Sequence, residues 1–575
     1  MPTRNVKRTL ILGVTCLAIA GTVGASLVLH QGAVSHASAG GGQSSTTQNL
    51  TSIGTGQIIA GQSNGAGANS LTDQTAPEHE HDFNMQAKAP ATVPTAPANP
   101  TPSSTASNNS GLDGFAGLNH VDSRSASNGN QYSLEPPDQG LCVGNGYVVE
   151  AVNDVMAVYS ASGSHAIASG PTALNAFFGL PYMLDRTKNP PVPGPFLSDP
   201  KCVYDAAGGH FVLTVLQELN AQNRAYTLIA VSQTNDPNGK WDLYSIDATD
   251  DGQNGTPSHA GCPCFGDQPL IGFNANGFYI STNEFGAGFN GAQLYAMSLS
   301  GLESGALPKV VHLDLGALPT HDAGGIWYSV QPAVAPPGAP SGQGQDKNTE
   351  FFMSSLQFGP APLDNRIAVW SLNNTQALVS GNPQAVKISN TVISSETYGS
   401  APDGSMTATQ KPGPTPLGTA VGAPENLLNA NDDRMNQVVY ANGMLYSGVN
   451  TYLQGGRIGI AYFIVSPSIQ GHTVSASMAN QGYVSLANDN VMFPSIAVNN
   501  AGQGIISFSF SGPDYYPSTG YATIDATNGA GAIHTSSSGV APADGFTGYP
   551  AYGGNGVERW GDYSAAVVAE DGSFW

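Results

Sequence analysis

Beyond residue 130 the chain repeats one pattern: an apolar run, a turn that carries Gly, and a second run rich in aromatic or branched residues. Copies of this pattern occupy residues 141–147, 202–211, 270–279, 438–446, 496–506 and 565–575. A seventh copy begins at 331–335, and its turn is stretched over 336–349. Asn-Gly and Asp-Gly between β-runs favour tight hairpins because both residues tolerate positive φ. The pattern therefore predicts consecutive antiparallel strands.

Each copy starts with a short polar or Pro-containing signature, and the spacing of these signatures sets the period. They are Asp138-Gln139, Asp199-Pro200, Asp267-Gln268-Pro269, Gln331-Pro332, Asp433-Arg434, Phe493-Pro494 and Asp562-Tyr563. The period is sixty-odd residues, except where a Gly/Pro/Thr-rich insertion at 394–429 lengthens it. Such a period accommodates four strands and their loops, as in the blades of a propeller.

Several predicted strands are apolar on both sides, for example 211–216 and 505–510. A strand in a sheet with one solvent-exposed face should alternate apolar and polar residues. These strands therefore indicate sheets that are covered on both faces. We therefore predict an all-β fold, a β-propeller of about seven four-stranded blades. The last blade stops at Trp575 in its second strand and is expected to be incomplete, with a six-bladed ring as one alternative. A β-sandwich with long loops is the other.

The N-terminal region predicts export. Arg4, Lys7 and Arg8 precede an apolar run at 10–29, and Ala37-Ser38-Ala39 offers a small-residue cleavage site. Residues 1–39 are therefore predicted to be a signal peptide or, because the run is long enough to span a bilayer, an uncleaved membrane anchor. Residues 40–110 are rich in Gly, Ser, Thr and Pro and predict a disordered linker. Residues 111–575 are assigned to the propeller, which we expect to be secreted or held at the cell surface as a monomer.

The charge of the chain restricts its partners. The formal net charge is −22, a balance that repels nucleic acid and anionic lipid. An extracellular glycan, a cell-wall component or a protein is a better match for this negative charge.

Within the linker, Glu78-His79-Glu80-His81-Asp82 could hold a transition metal through alternate side chains, or it could be a solvated polar patch.

Four cysteines follow the leader: Cys142, Cys202, Cys262 and Cys264. An even count in an exported chain predicts disulfides. The repeat places Cys142 and Cys202 at equivalent positions of the first two blades, so we predict that they pair. Cys262 and Cys264 then form a small ring across Pro263 or remain thiols. A zinc site made from all four is the alternative, although a one-residue gap is shorter than usual for zinc.

Five aspartates stand at the entry of a first strand: Asp138, Asp199, Asp267, Asp433 and Asp562. First strands are innermost in a propeller, so these side chains should converge around the axis. Converging carboxylates repel one another unless a cation such as Ca²⁺ neutralises them. The alternative is that each Asp accepts hydrogen bonds from backbone N–H groups at its strand entry. Calcium is the cofactor that these aspartates would hold, and the sequence establishes no cofactor with certainty.

Four segments, EPPDQGLCVGNG at 135–146, CFGDQP at 264–269, GFYISTNE at 277–284 and RWGDYS at 559–564, occur in this order. Together they resemble segments of secreted bacterial β-propeller proteins of unassigned function, which are loosely related to sialidase-like propellers. The resemblance covers roughly 130–575. It implies a propeller fold and export, and it supplies no catalytic residues.

The function predicted from these observations is that of a non-catalytic binding module. Ligand-binding candidates are Arg434, Arg559, Trp327, Tyr515 and Tyr516, because aromatic rings suit stacking on sugars and arginines suit anionic groups. The alternative is a sialidase-like or other glycoside hydrolase that uses axial carboxylates. Its candidate carboxylates are Glu150, Glu218, Glu284 and Asp562. The Arg-Ile-Pro signature expected of a sialidase is absent, and no catalytic residue is assigned.

Overall fold

The structure is a computed structural model, and it describes residues 45–59, 75–77, 106–108, 112–163, 167–318, 326–339, 348–356 and 363–575. The predicted leader, most of the linker and the acidic–histidine stretch at 78–82 lie outside these ranges. Within them, no helix has the length and apolarity needed to cross a membrane.

In the described part of the chain, six antiparallel meanders of four strands each follow one another. Meander 1 comprises Gly140–Gly144, Tyr147–Val152, Val155–Ser160 and Ile167–Ala173. Meander 2 comprises Leu197–Asp205, His210–Gln217, Tyr226–Ser232 and Lys240–Asp247. Meander 3 comprises Phe265–Phe273, Gly277–Phe285, Phe289–Ser298 and Lys309–Asp314.

Meanders 4 to 6 repeat this arrangement. Meander 4 comprises Gln331–Val334, Thr349–Ser355, Asp364–Asn373 and Lys387–Tyr398. Meander 5 comprises Val438–Ala441, Met444–Leu453, Arg457–Gln470 and Thr473–Val484. Meander 6 comprises Asn490–Val498, Gln503–Ser511, Ser518–Asp525 and Gly529–Ser537.

Helices are short and lie in the connections. The α-helices are His120–Gly129, Leu174–Phe177, Leu299–Glu303, Gln376–Val379 and Pro416–Val421, and 3₁₀ turns span Pro383–Ala385 and Pro550–Tyr552. Short strands outside the meanders are Thr75–Pro77, Ser107–Asn108, Ser133–Glu135, Leu184–Asp185, Val192–Pro193, Thr407–Ala408, Leu427–Asn429 and Val557–Arg559. The predicted insertion supplies Thr407–Ala408 and Leu427–Asn429, which form a three-stranded sheet with Val557–Arg559.

The first strands of the meanders surround one central channel. Parallel bridges join neighbouring first strands, from Phe273 to Val334 and from Ala333 to Val438. Each of the six first strands, together with residues 564–568, contributes to the lining of a cavity of about 100 Å³. Sheets that radiate from a shared channel, with their first strands innermost, form a β-propeller. The predicted fold class is therefore confirmed, and the number of blades stays a prediction.

Residues 565–575, the predicted last copy, form a two-stranded pair beside meander 1. Val567 and Trp575 exchange two backbone hydrogen bonds of 3.0 Å, and Val568 bridges Phe574. On the side of meander 6, the Oγ of Ser564 donates to the carbonyl of Phe493 at 2.7 Å. The pair thus lies where the repeat places a further blade.

Burial between neighbouring sheets explains why the strands are apolar on both sides. In the second strand of meander 2, Phe211 and Leu213 pack into the core shared with meander 1, whereas Val212 packs into the core shared with meander 3. Trp241 is completely buried in the first of these cores. Alternate residues therefore meet different neighbours, and both faces must be apolar.

Part of the linker is ordered, so the prediction of disorder over the whole of 40–110 is wrong. Ser45–Asn49 pairs with Lys309–Asp314 at the outer edge of meander 3, and Thr51–Gln57 pairs with Lys240–Asp247 at the outer edge of meander 2. Leu50 is buried beside these strands. The physical reason is that an outer strand presents unpaired backbone groups, which a polar segment can satisfy without a core of its own.

The structure contains two disulfides, and the repeat predicted the first of them. Cys142 and Cys202 join the first strands of meanders 1 and 2, with their Cα atoms 5.3 Å apart. Cys262 and Cys264 are also bonded to each other. With all four sulfurs oxidised, the four-cysteine zinc alternative is excluded.

Candidate functional site

Several first strands begin with a backbone irregularity that points a residue toward the axis. The register shifts between Ser198 and Lys201 in meander 2, between Asp267 and Leu270 in meander 3 and between Met492 and Ser495 in meander 6. Residues with positive φ at these entries are Asp138, Asp199, Gln268, Ser329 and Phe493. Such β-bulges bend a strand and redirect a side chain. They define the bulge end of the channel.

An asparagine from the preceding blade holds three of these bulges. The Oδ1 of Asn153 accepts a hydrogen bond from the N–H of Asp199, and the Oδ1 of Asn283 accepts one from the N–H of Ser329, both at 2.8 Å. The Oδ1 of Asn450 accepts from the N–H of Phe493 at 2.7 Å. Sequence reasoning missed these residues. The available signal was an Asn in, or directly after, a second strand: Val152-Asn153, Thr282-Asn283 and Val449-Asn450.

Three of the five predicted carboxylates converge at the bulge end and form what we call the axial cluster. Asp138, Asp199 and Asp562 each place one carboxylate oxygen within 4.8 Å of the others. Asp138 is fully buried. It accepts from the N–H of Asp562 at 2.7 Å and from the Nδ2 of Asn153 at 2.8 Å.

Cations balance the charge of the axial cluster. Arg559 binds Asp562 in a bidentate pair at 2.7 and 2.8 Å. The ammonium group of Lys201 lies 2.9 Å from the centroid of the Tyr563 ring. Burial lowers the pKa of Lys201 to about 7, although Asp199, Asp138 and Asp562 favour its charged form.

The Oδ1 of Asp199 has no hydrogen-bond partner. Burial, followed by the neighbouring carboxylates, raises the pKa of Asp199 well above its ordinary value.

The other two predicted members of the ring are not part of this 4.8 Å group. Asp267 precedes the bulge residue Gln268, and its charge still raises the pKa of Asp199. Burial raises the pKa of Asp267 itself to about 7, although Arg434 favours its charged form. Asp433 is buried among meander 4 and 5 residues, where its Oδ1 accepts from the hydroxyl of Tyr328 at 3.3 Å. An oxygen-only set such as Asp138, Asp199 and Asp562 suits Ca²⁺. Calcium at the axial cluster is therefore the alternative to charge balance by Arg559 and Lys201.

The arginines proposed as ligand contacts are engaged inside the protein. Arg434 is buried and forms a bidentate pair with Asp432 at 2.8 and 2.7 Å. Its Nη1 also donates to the Oε1 of Gln268 at 2.9 Å. Arg559 is held by Asp562, as described above. Both guanidinium groups are thus engaged with carboxylates of the protein, and their role as ligand contacts stays a prediction.

Two of the three aromatic candidates are accessible. Trp327 is only 2% exposed and packs edge-on against Trp370 at 4.6 Å between ring centroids, so the expectation that it is exposed is wrong. Tyr515 and Tyr516 are half-buried in the loop between the second and third strands of meander 6. The Nζ of Lys411 lies 5.3 Å from the centroid of the Tyr516 ring.

Each of the three glutamates considered for hydrolysis lies in a different set of contacts. Glu150 accepts from the N–H of Leu118 at 2.8 Å, and burial raises its pKa. Burial raises the pKa of Glu218 to about 7. Glu284 contacts the Nδ1 of His259 through both oxygens, at 2.9 and 3.0 Å. Burial opposes ionisation of Glu284, but hydrogen bonds, that from His259 foremost, keep its pKa below the ordinary value.

No protein-family model and no curated protein matches the sequence. Among solved structures, the chain is similar to the Dos1 propeller, at 10% identity and a TM-score of 0.31, over 76% of this chain and 75% of that one. It is also similar to the Hadza microbial sialidase Hz136, at 10% identity and a TM-score of 0.33, over 73% and 68%. A Synechocystis apocarotenoid oxygenase mutant matches at 10% identity and a TM-score of 0.31, over 71% and 74%. The assignment of the fold rests on the sheets and the channel described above.

Proposed function

We propose that the protein is an extracellular β-propeller that binds a glycan, a cell-wall component or a protein without transforming it chemically. This proposal rests on the burial and internal pairing of the carboxylates of the axial cluster. Asp138 and Asp199 are 0% and 2% exposed, and Asp562 is paired with Arg559. A ligand therefore has to be recognised on the outer surface rather than at these carboxylates.

The same geometry weighs against the alternative of axial glycoside hydrolysis. A glycosidase places two carboxyl groups about 5–10 Å apart on either side of an accessible sugar. The axial carboxylate oxygens lie within 4.8 Å of one another, with protein donors between them. Asp138 already accepts a hydrogen bond from the backbone N–H of Asp562, so no substrate ring can lie between these two groups. This arrangement supports a structural role for the axial aspartates.

Export is part of the proposal. The leader at 1–39 predicts it, and two disulfides are compatible with an oxidising compartment. An acidic chain with a net charge of −22 favours neutral or cationic partners over polyanions. Neutral polysaccharide and cell-wall glycan are therefore the first ligands to test.

The loop at 512–517 offers the most suitable contact surface. It joins the second and third strands of meander 6 and therefore lies at the bulge end, where second strands finish. Tyr516 is partly exposed there with Lys411 over its ring, whereas Tyr515 packs against Phe510 at 5.1 Å. An aromatic face next to a flexible cation provides apolar contact and a hydrogen-bond donor for a sugar. Tyr516 is thus the residue that we expect to contact the ligand.

The test is a glycan array together with a pull-down on isolated cell walls, using the full-length chain. Tyr516→Ala should weaken binding about tenfold, which corresponds to the roughly 1.4 kcal/mol that one stacking contact supplies. Tyr182→Ala, which removes another exposed tyrosine, is the matched control and should bind normally. Turnover of fluorogenic glycosides that Asp562→Asn abolishes would replace this proposal with the hydrolase.

A further inference from the structure

A second cluster of charged side chains lies away from the axis, at the connection between meanders 2 and 3. The loop after Lys240–Asp247 folds back on itself, and the N–H of His259 donates to the carbonyl of Asp250 at 2.8 Å. An isolated bridge between Asp251 and Ser258 adds to this fold. The backbone therefore holds Asp250 and His259 face to face, although eight residues separate them.

Glu284 completes the cluster from the second strand of meander 3, Gly277–Phe285. Asp250, His259 and Glu284 each place one potential ligand atom within 4.8 Å of the others. The Nδ2 of Asn290 donates to the Oε2 of Glu284 at 2.7 Å and fixes the carboxylate. The three side chains thus come from a loop and a strand that belong to different meanders.

Asp250 is the unexplained member of the cluster. Its side chain is 0% exposed, and neither carboxylate oxygen accepts a hydrogen bond from any described donor. The Oδ2 of Asp250 lies 3.7 Å from the Nδ1 of His259, too far for a hydrogen bond but suitable for two ligands of one ion. Glu284 has Asn290 and His259 as partners, whereas Asp250 is buried beside it without a hydrogen-bond donor. Burying a charged carboxylate in this way is costly unless a cation compensates it.

Two neighbours of the cluster, His312 and Asp314, support it and are not themselves proposed as metal ligands. The Nδ1 of His312 is 3.2 Å from the Nε2 of Gln48, and its Nε2 is 2.9 Å from the Oε1 of Gln293. Gln48 can only donate through that atom and Gln293 can only accept, so His312 is a neutral Nε2–H tautomer with both nitrogens occupied. On the other side, the Oδ2 of Asp314 lies 3.7 Å from the Nε2 of His259. A carboxylate behind a histidine is the usual support for a metal ligand.

From this geometry we propose that Asp250, His259 and Glu284 bind one divalent transition-metal ion. One imidazole nitrogen with two carboxylates is a donor set that Zn²⁺ accepts, whereas Ca²⁺ prefers oxygen alone. The disulfide between Cys262 and Cys264 leaves those sulfurs unable to act as thiolate ligands. The ion would join the connecting loop to meander 3 and would neutralise the two buried carboxylates.

The experiment is a titration of the full-length, metal-stripped chain with Zn²⁺, followed by calorimetry and thermal unfolding. We expect one tight equivalent and an increase in Tm. Asp250→Asn and Glu284→Gln preserve the side-chain volumes and should each lower the affinity by more than the about 10- to 100-fold that loss of an outer support costs. Asp314→Asn should fall within that smaller range. Because the Asn and Gln variants relieve adjacent buried carboxylates, they should fold without metal.

Two controls separate this site from other zinc-binding groups. His79→Gln/His81→Gln removes the histidines at 78–82 and should keep the tight equivalent, and His472→Gln removes an exposed histidine and should change nothing. An anomalous diffraction signal from zinc between Asp250 and Glu284 would locate the ion. The proposal is overturned if the wild-type chain shows no zinc-dependent stabilisation. It is equally overturned if Asp250→Asn retains the full response.

Discussion

The side-chain amide of Asn153 connects the entry bulges of two neighbouring blades. Its Oδ1 accepts from the N–H of Asp199 at 2.8 Å, while its Nδ2 donates to the Oδ2 of Asp138 at 2.8 Å. Asn283 and Asn450 make the first of these contacts between later blades. A residue that satisfies a buried N–H in the next blade couples the two sheets directly, so this contact is part of what fixes the ring.

Asn450→Ala should destabilise the protein by about 1–3 kcal/mol, because it leaves the N–H of Phe493 buried without an acceptor. Asn153→Ala should have a similar effect. Chemical denaturation that reports the free energy of unfolding measures both. Asn500→Ala, at an exposed site, is the matched control and should change this free energy by less than about 0.5 kcal/mol. Equal effects of all three variants would contradict a special role for the buried amides.

Calcium should have little effect on stability. Asp138 and Asp562 already accept hydrogen bonds from Asn153 and Arg559, and Lys201 adds a further cation. We expect millimolar CaCl₂ to change Tm by less than about 1 °C, well below the shift that 1 kcal/mol of binding would give. Differential scanning calorimetry with and without EDTA decides the matter. An increase of several degrees that the double variant Asp138→Asn/Asp199→Asn abolishes would establish an axial calcium ion instead.

Glu558 should make the protein less stable as the pH rises. Burial, followed by the nearby Glu135, raises the pKa of Glu558 from 4.5 to about 8. A carboxyl group whose pKa is higher in the folded state favours folding below pH 4.5, and this contribution is lost as the pH rises toward 8. Glu558→Gln keeps an acceptor for the N–H of Gly545 and cannot ionise.

The variant should therefore be more stable than wild type at pH 8 by about 1–3 kcal/mol and should show a flatter dependence of stability on pH between 5 and 8. Urea denaturation at several pH values measures the difference. Glu396→Gln, at an exposed site, is the control. Parallel pH profiles for wild type and Glu558→Gln would show that Glu558 is ionised in the folded protein at all of these pH values.

The disulfide between Cys142 and Cys202 should contribute more to stability than the one between Cys262 and Cys264. The first closes a loop with a sequence separation of 60, whereas the second has a separation of 2. Closing a longer loop removes more conformational entropy from the unfolded chain. Cys142→Ser/Cys202→Ser should cost about 2–4 kcal/mol, and Cys262→Ser/Cys264→Ser clearly less. Thermal unfolding of both double variants, with peptide mapping to verify pairing, tests this order.

The sequence alone determined the repeating hairpins, the onset of each copy and the pairing of Cys142 with Cys202. These features could be predicted because they depend on local signals. Asn-Gly turns, short apolar runs and a regular period each act within a few residues, and the period then places equivalent positions side by side. The outer strands at 45–57 escaped prediction because their polar residues gain stability only from the open edges of meanders 2 and 3.

The tertiary structure decided which of the predicted side chains meet. Asp199 is itself a residue of positive φ and joins Asp138 and Asp562 within 4.8 Å, whereas Asp267 precedes such a residue and acts on Asp199 only through its charge. Burial turned Trp327 from a candidate ligand contact into a core residue. The meeting of Asp250 with Glu284 depends on how a loop of one blade folds against a strand of the next. Contacts between distant segments leave no local pattern in the sequence, because they depend on backbone geometry accumulated over whole blades.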